Sequence, residues 1–184
     1  MAIRSNLQAI RRAVAPAKVC AVVKADGYGH GALEVSRTLL DAGAERLAVF
    51  TPAQAIAIAA GTHEPRILIL VPAREVPNDA TMQEMLDAGR VEWTVVDAEQ
   101  ARSLAQSASP QVPLRVHIEC DCGLGRGGAS AATFAGLFAA VQSEAALQLV
   151  GIFTHFSAED PAIVKRQAQQ FDALLLSLGQ SLPA

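Results

Sequence analysis

The sequence predicts an α/β fold in which βα units repeat along the chain and build a parallel sheet, closed as a (β/α) barrel or open as a doubly wound sheet. Three observations carry this. Six short runs rich in valine, isoleucine and leucine recur along the 184 residues. Alanine-rich stretches with helical spacing of apolar residues lie between them. Residues that cap or open helices stand just after the runs.

Taken in order, the strands are expected in "VCAVVKA" from Val19, "RLAVF" from Arg46, "RILILV" from Arg66, "EWTVV" from Glu92, "PLRVHIEC" from Pro113 and "LQLVGIFTH" from Leu147. Thr51-Pro52, Asp97 and Ser130 are expected to open helices. The last helix has the clearest apolar stripe: Ile163, Val164, Phe171, Leu174, Leu175 and Leu178. An eight-unit barrel takes about 250 residues. Six units in 184 residues therefore predict an incomplete barrel or a smaller open sheet.

Composition bounds the function. With 51% hydrophobic and 18% charged residues, the chain reads as one globular domain over residues 1–184, long enough for a full core. A net charge of −3 with no block of lysine or arginine excludes the electrostatic footprint of a nucleic-acid or anionic-membrane binder. Work on a small molecule is favoured. No apolar stretch reaches the roughly 18 residues that span a bilayer. The start "MAIRSNLQAIRRAV" lacks the apolar centre of a signal peptide, so a cytoplasmic location is expected. Cys20, Cys120 and Cys122 are odd in number and sit in apolar runs, which reads as reduced core packing.

The alternation of each strand singles out candidate residues. In the fifth, Leu114, Val116, Ile118 and Cys120 share one face, and Arg115, His117, Glu119 and Asp121 the other. Lys24 shares a face with Val22 and Cys20, and His155 with Phe153 and Gly151. Lys24, Glu119 and His155 are thus expected to point inward near strand C-terminal ends, where such folds place their chemistry, and to converge there.

Lys24 ends an apolar run in "AVVKADGYGHG". A lysine there either snorkels to solvent or serves as a Schiff-base lysine, because a desolvated amine is a nucleophile toward an aldehyde such as that of pyridoxal phosphate. Glycines 27, 29 and 31 would let the backbone bend around a ligand, and the Tyr28 hydroxyl would serve its phosphate. "ECDCGLGRGG" admits a dinucleotide fingerprint in Gly123, Gly125 and Gly128, a plain flexible loop, or a loop that sends Arg126 to an anion or a phenolate. In "GIFTHFSAED", His155 is a structural residue or a flat ring stacked on a cofactor. No metal is expected, since His30, His63, His117 and His155 show no paired ligand spacing.

Together these stretches resemble one family. "AVVKADGYGHG" is similar to the pyridoxal-phosphate lysine motif of bacterial alanine racemases, "HIECDCGLGRGG" to that family's D-T-G-M-x-R-x-G segment, and "THFSAED" to its T-H-F-A-x-A-D. "IRSNLQAIRR" resembles the helix before the lysine strand, so the similarity runs the length of the chain.

The resemblance implies a (β/α)8 TIM-type barrel of the fold III class, incomplete, with about six βα units present, and pyridoxal 5′-phosphate as cofactor. Lys24 would carry the cofactor and act as one of two bases on the α-carbon of alanine, and Tyr28 would contact the phosphate. His155 would lie against the pyridine ring. Arg126 would reach the phenolic oxygen and the substrate carboxylate. The complete family enzyme is a homodimer. Glu119 stands where many members carry a carbamylated lysine that pairs with this arginine, and a Glu119–Arg126 pair is expected in its place. Leu124 replaces the usual methionine.

Two further barrel strands and a C-terminal β domain of the family are expected to be absent, and the start to lack a short strand. The second base comes from the missing part in the family, and Tyr28 is the one tyrosine present. The resemblance thus implies interconversion of L- and D-alanine, with two alternatives: a non-catalytic cofactor-binding module or remnant, or a fold III enzyme of another reaction or broader scope. Tyr28, four residues after Lys24 in "KADGYGHG", argues against the decarboxylases of that class.

Overall fold

All six apolar runs form strands in the computed structural model, which describes residues 2–63, 65–157 and 160–179. The strands are β1 (Cys20–Val22), β2 (Arg46–Val49), β3 (Ile67–Ile69), β4 (Val91–Val95), β5 (Leu114–Cys120) and β6 (Leu147–Thr154). They make one parallel sheet in the order β1-β2-β3-β4-β5-β6. A doubly wound sheet reverses its order at a switch point, whereas a barrel adds each strand beside the last. The winding is that of a barrel, and the open-sheet alternative falls. The helices among the described residues are α1 (Ala2–Val14), α2 (Lys24–Gly29), α3 (Ala32–Asp41), α4 (Pro52–Gly61), α5 (Ala80–Asp87), α6 (Ala98–Gln106), α7 (Phe134–Ser143) and α8 (Pro161–Ser177).

The helix starts follow from their side chains. Thr51 closes a capping box with Gln54, and Pro52 takes the first helical position of α4, where its missing N–H is not needed. Asp97 accepts from Gln100 N at 2.7 Å and opens α6. Ser130 departs from its expected role. Its carbonyl accepts from the amides of Thr133 and Phe134, so it starts a turn, and α7 begins at Phe134.

The chain divides into two compact units, Met1–Val71 with Pro77–Glu92, and Pro72–Val76 with Trp93–Ala184. The core of the first holds Leu47, Val49, Ile67, Ile69, Met82 and Met85, each 0% exposed. It also buries a charge. Glu92 is 0% exposed, with its Oε2 2.8 Å from Arg46 Nε. The second unit buries Trp93, Leu104, Leu114, Ile118 and Phe134. There β5 and β6 pair along Leu114–Cys120, with an irregularity between Val116 and His117. Gly151 sits opposite His117, whose imidazole fills the space a Cβ would need.

Cys120 and Cys122 are buried as expected, but Cys20 is exposed, since β1 turns Cys20 and Val22 to the surface and Val23 to the core. Burial pushes the Cys120 thiol up to about 12, so it is packing, not a nucleophile. In α8 the stripe from Ile163 to Leu178 is only partly buried, and the buried residue of that helix is Gln167. No helix among the described residues is long and apolar enough to cross a membrane.

Candidate active site

In the first unit, Lys24 is the second residue beyond β1 and opens α2, whose backbone is a left-handed turn and not a right-handed helix. Ala25, Asp26, Gly27 and Tyr28 all have φ between 51° and 62° and ψ between 35° and 50°. Three of these four are not glycine. L-residues pay roughly 1–2 kcal/mol each in that region, and such conformations persist where the surroundings enforce them, most often at functional sites. The enforcement is visible. Gly27 N donates to Val23 O at 3.1 Å and Gly31 N to Asp26 O at 2.9 Å. The Asp26 carboxylate accepts from Ala32 N at 2.8 Å, which also caps the first turn of α3. His30 Nδ1 lies 3.2 Å from Gly27 O and 3.1 Å from Tyr28 O, so the protonated nitrogen clasps the turn from the other side. A Cβ on Gly27 would meet Val35 at 3.3 Å, where the turn packs against α3.

The result is a rigid lysine mount. Lys24 Nζ stands 5.9 Å from the centroid of the Phe50 ring, which follows β2. Phe50 is 47% exposed, so the amine stands beside an open aromatic face; Val22 and Tyr28 in the same stretch are exposed too.

In the second unit, the loop after β5 is held by Asp121. Its Oδ1 accepts from Gly123 N at 2.9 Å and Gly125 N at 3.1 Å, and its Oδ2 from Gly125 N at 3.1 Å. These backbone amides hold its carboxyl below the usual aspartate value. The loop then returns to the strand: Ala129 N donates to Glu119 O at 2.8 Å, and Asp121 N to Ala129 O at 2.9 Å. That return requires glycine at 128, where φ is +99° and a Cβ would lie 2.8 Å from both Asp121 N and Cys120 C. The glycines of "CGLGRGG" thus shape a loop that presents Arg126, exposed, between two fixed points.

Glu119 is half-buried. Burial raises its carboxyl above the usual range, while the charge of Arg126 pulls the other way and that of Asp121 adds to the rise. The attraction is felt at a distance: among the described residues no ion pair within 4.0 Å joins Glu119 to Arg126. The expected contact pair is therefore replaced by a longer-range interaction, because the Asp121 clasp fixes where the loop can hold its arginine.

His155 follows β6 directly and is exposed. Thr154 Oγ1 before it donates to Cys120 O at 2.8 Å, tying the ends of β5 and β6. After it, Ser157 N donates to Gln167 Oε1 at 3.1 Å. The remaining "AE" of "THFSAED" lies outside the described residues, and Asp160 accepts from Ala162 N at 2.8 Å as the cap of α8. Lys24 and Tyr28 therefore share a loop and unit, and Arg126 and His155 belong to the other unit on successive strand ends. Among the described residues no cluster of three or more His, Cys, Asp or Glu has metal-holding geometry. Sequence reasoning missed Phe50, Asp26, His30 and Gln167. The one signal that could have found Asp26 is its place directly before Gly27, and Asp121 stands two residues before Gly123; both spacings favour side-chain bonds to nearby backbone amides.

A β1-end lysine in an enforced turn, barrel-type winding and a glycine-shaped arginine loop after β5 define an α/β enzyme-type scaffold, and comparison with known proteins gives its lineage. Residues 1–184 match the family described as "Alanine racemase, N-terminal domain", and the chain belongs to it. Alanine racemase 2 of Bacillus subtilis is 34% identical over 181 residues, covering 95% of this chain and 45% of that protein. Alanine racemase of Clostridium perfringens is 36% identical over 177 residues, covering 94% and 44%. The alanine racemase of Streptomyces coelicolor superposes with a TM-score of 0.83 at 31% identity, covering 100% of this chain and 50% of that one. That of Bacillus anthracis with bound L-Ala-P superposes at 0.84 with 26% identity, covering 100% and 47%. The chain spans about half the length of these relatives or less.

Proposed function

We propose that this chain holds pyridoxal 5′-phosphate through Lys24 and supplies the Lys24 side of the interconversion of L- and D-alanine, proton transfer at one face of the α-carbon. The observation that carries the reading is the Lys24 mount: a strand-end amine fixed by a left-handed turn and faced by the Phe50 ring at 5.9 Å. That donor set fits the group, since an aldehyde needs a primary amine, a planar ring needs apolar and aromatic faces, and a phosphate needs a donor such as the Tyr28 hydroxyl. The similarity to proteins named alanine racemase, one of them with bound L-Ala-P, supports the substrate.

Bound there, pyridoxal phosphate supplies an electron sink that makes the α-hydrogen of an amino acid removable. The protein's own residues do the rest. Lys24 Nζ would carry the proton to and from one face of the α-carbon. Tyr28 donates to a phosphate oxygen, and the planar fork of Arg126 suits the substrate carboxylate and the phenolic oxygen. The His155 imidazole offers a flat face to the pyridine ring. Inversion also needs a proton carrier on the opposite face, worth about 10² to 10⁴ in rate. Tyr28, the one tyrosine in the 184 residues, is committed to the phosphate.

A second reading, a cofactor-binding module without turnover, is favoured by that single tyrosine. One experiment separates the two. The purified chain, saturated with pyridoxal phosphate in deuterated water, is given each enantiomer of alanine; α-hydrogen exchange is followed by NMR and racemisation by a D-amino-acid oxidase readout. One-sided exchange well above the Lys24→Ala blank, with little racemisation, is expected. No exchange above the blank would leave the binding module. Racemisation near one per second, in the ordinary enzyme range, would show a second base within this chain.

A further inference from the structure

Gln167 inverts the usual pattern of an amphipathic helix. In α8 the apolar stripe is half open to solvent, while this primary amide is 1% exposed. A buried amide left without partners is destabilising, so the bonds this glutamine makes decide what it does. Here both ends of the amide are used on one residue: Oε1 accepts from Ser157 N at 3.1 Å, and Nε2 donates to Ser157 Oγ at 2.9 Å. Ser157 is two residues beyond His155. The same amide also lies against the other loop of this unit. A Cβ on Gly123 would sit 3.5 Å from Gln167 Nε2 and 3.8 Å from its Cγ, and Gly123 is the residue whose amide the Asp121 carboxylate holds.

We propose that Gln167 is a positioning residue: from α8 it clamps the His155 loop through Ser157 and forms the shelf on which the Arg126 loop rests at Gly123. The inference rests on the reading above, that these two loops carry contacts to the cofactor and the substrate carboxylate. The amide is the right group for the task. It donates and accepts at once and carries no charge that would compete with Arg126 for an anion. An aliphatic residue would fill the volume and hold neither loop, while a shorter amide would not reach Ser157 from the same turn of α8.

The test compares Gln167→Leu, close in size but without either bond, with the parent chain by hydrogen exchange and mass spectrometry in the absence of cofactor, and then by absorbance titration with pyridoxal phosphate. Exchange in stretches 153–157 and 122–126 is expected to rise at least ~10-fold, with β2 in the other unit unchanged, and affinity for pyridoxal phosphate to fall at least ~5-fold. Gln167→Glu, which keeps an acceptor for Ser157 N, should restore much of the protection at 153–157. If Gln167→Leu does not fold, Ser157→Ala removes one of the two bonds and is read at the same stretch. Unchanged exchange in both stretches would overturn the proposal, as would acceleration spread evenly over α6, α7 and β5, which marks a merely structural residue. Local loosening with unaltered affinity would keep the clamp and overturn instead the assignment of these loops to the cofactor.

Discussion

Glu119 and Asp121 stand two residues apart at the end of β5, and their surroundings drive them in opposite directions. Burial raises the Glu119 carboxyl against the pull of Arg126, whereas backbone amides lower that of Asp121. The consequences for stability have opposite signs. Glu119 holds its proton more tightly when folded, so its contribution is present below the ordinary glutamate value of about 4.3 and is lost as pH rises through the raised value. Asp121 gives stability above the ordinary aspartate value of about 3.9, lost as pH falls below it. Glu119→Gln should therefore stabilise the chain at pH 7 by up to about 1 kcal/mol and bring no gain near pH 4. Asp121→Asn should be less stable than the parent at pH 7, with the difference shrinking as pH falls below the ordinary aspartate value. Thermal melts across pH 3 to 8 check both. A neutral-pH loss for Glu119→Gln would mean that it and Arg126 act as a tight pair after all.

At the scale of elements, the strands and most helix starts were legible because apolar runs and capping residues are local signals: Thr51 and Asp97 cap where their sequence says. The loops were not. Nothing in the composition of "KADGYGHG" says that Ala25 and Tyr28 adopt positive φ, because that hand is imposed by bonds from Asp26, His30 and Val23 that close only in three dimensions. Likewise "GLGRGG" offers five residues other than Arg126, and the sequence does not say which glycine is obligatory. The structure does. Gly128→Ala places a Cβ 2.8 Å from two backbone atoms and should cost on the order of 3 kcal/mol. Gly125→Ala meets nothing within 4 Å and should cost only about 1 kcal/mol for its left-handed φ of +70°. Urea denaturation of the two variants gives the comparison, and equal costs would contradict the account of the loop.

For the whole molecule, repetition carried the fold class. Six βα units implied a parallel sheet, and only the strand order told barrel winding from a doubly wound sheet. The division into two compact units was invisible in the sequence, since its boundaries fall at Val71–Pro72, at Val76–Pro77 and inside β4. The candidate residues stood out as chemistry, Lys24 and His155 just past strands and Arg126 in the loop after β5, but Phe50 and Gln167 did not, because they act through contacts to residues distant in sequence. The central claim concerns Lys24, and the chain makes it easy to test, having three lysines, Lys18, Lys24 and Lys165. The 184-residue chain is incubated with pyridoxal phosphate, reduced with borohydride, digested and mapped by mass spectrometry. The account predicts the pyridoxyl label on the peptide containing Lys24, with Lys24→Ala essentially unlabelled; label distributed mainly on Lys18 or Lys165, or unchanged in Lys24→Ala, would contradict it.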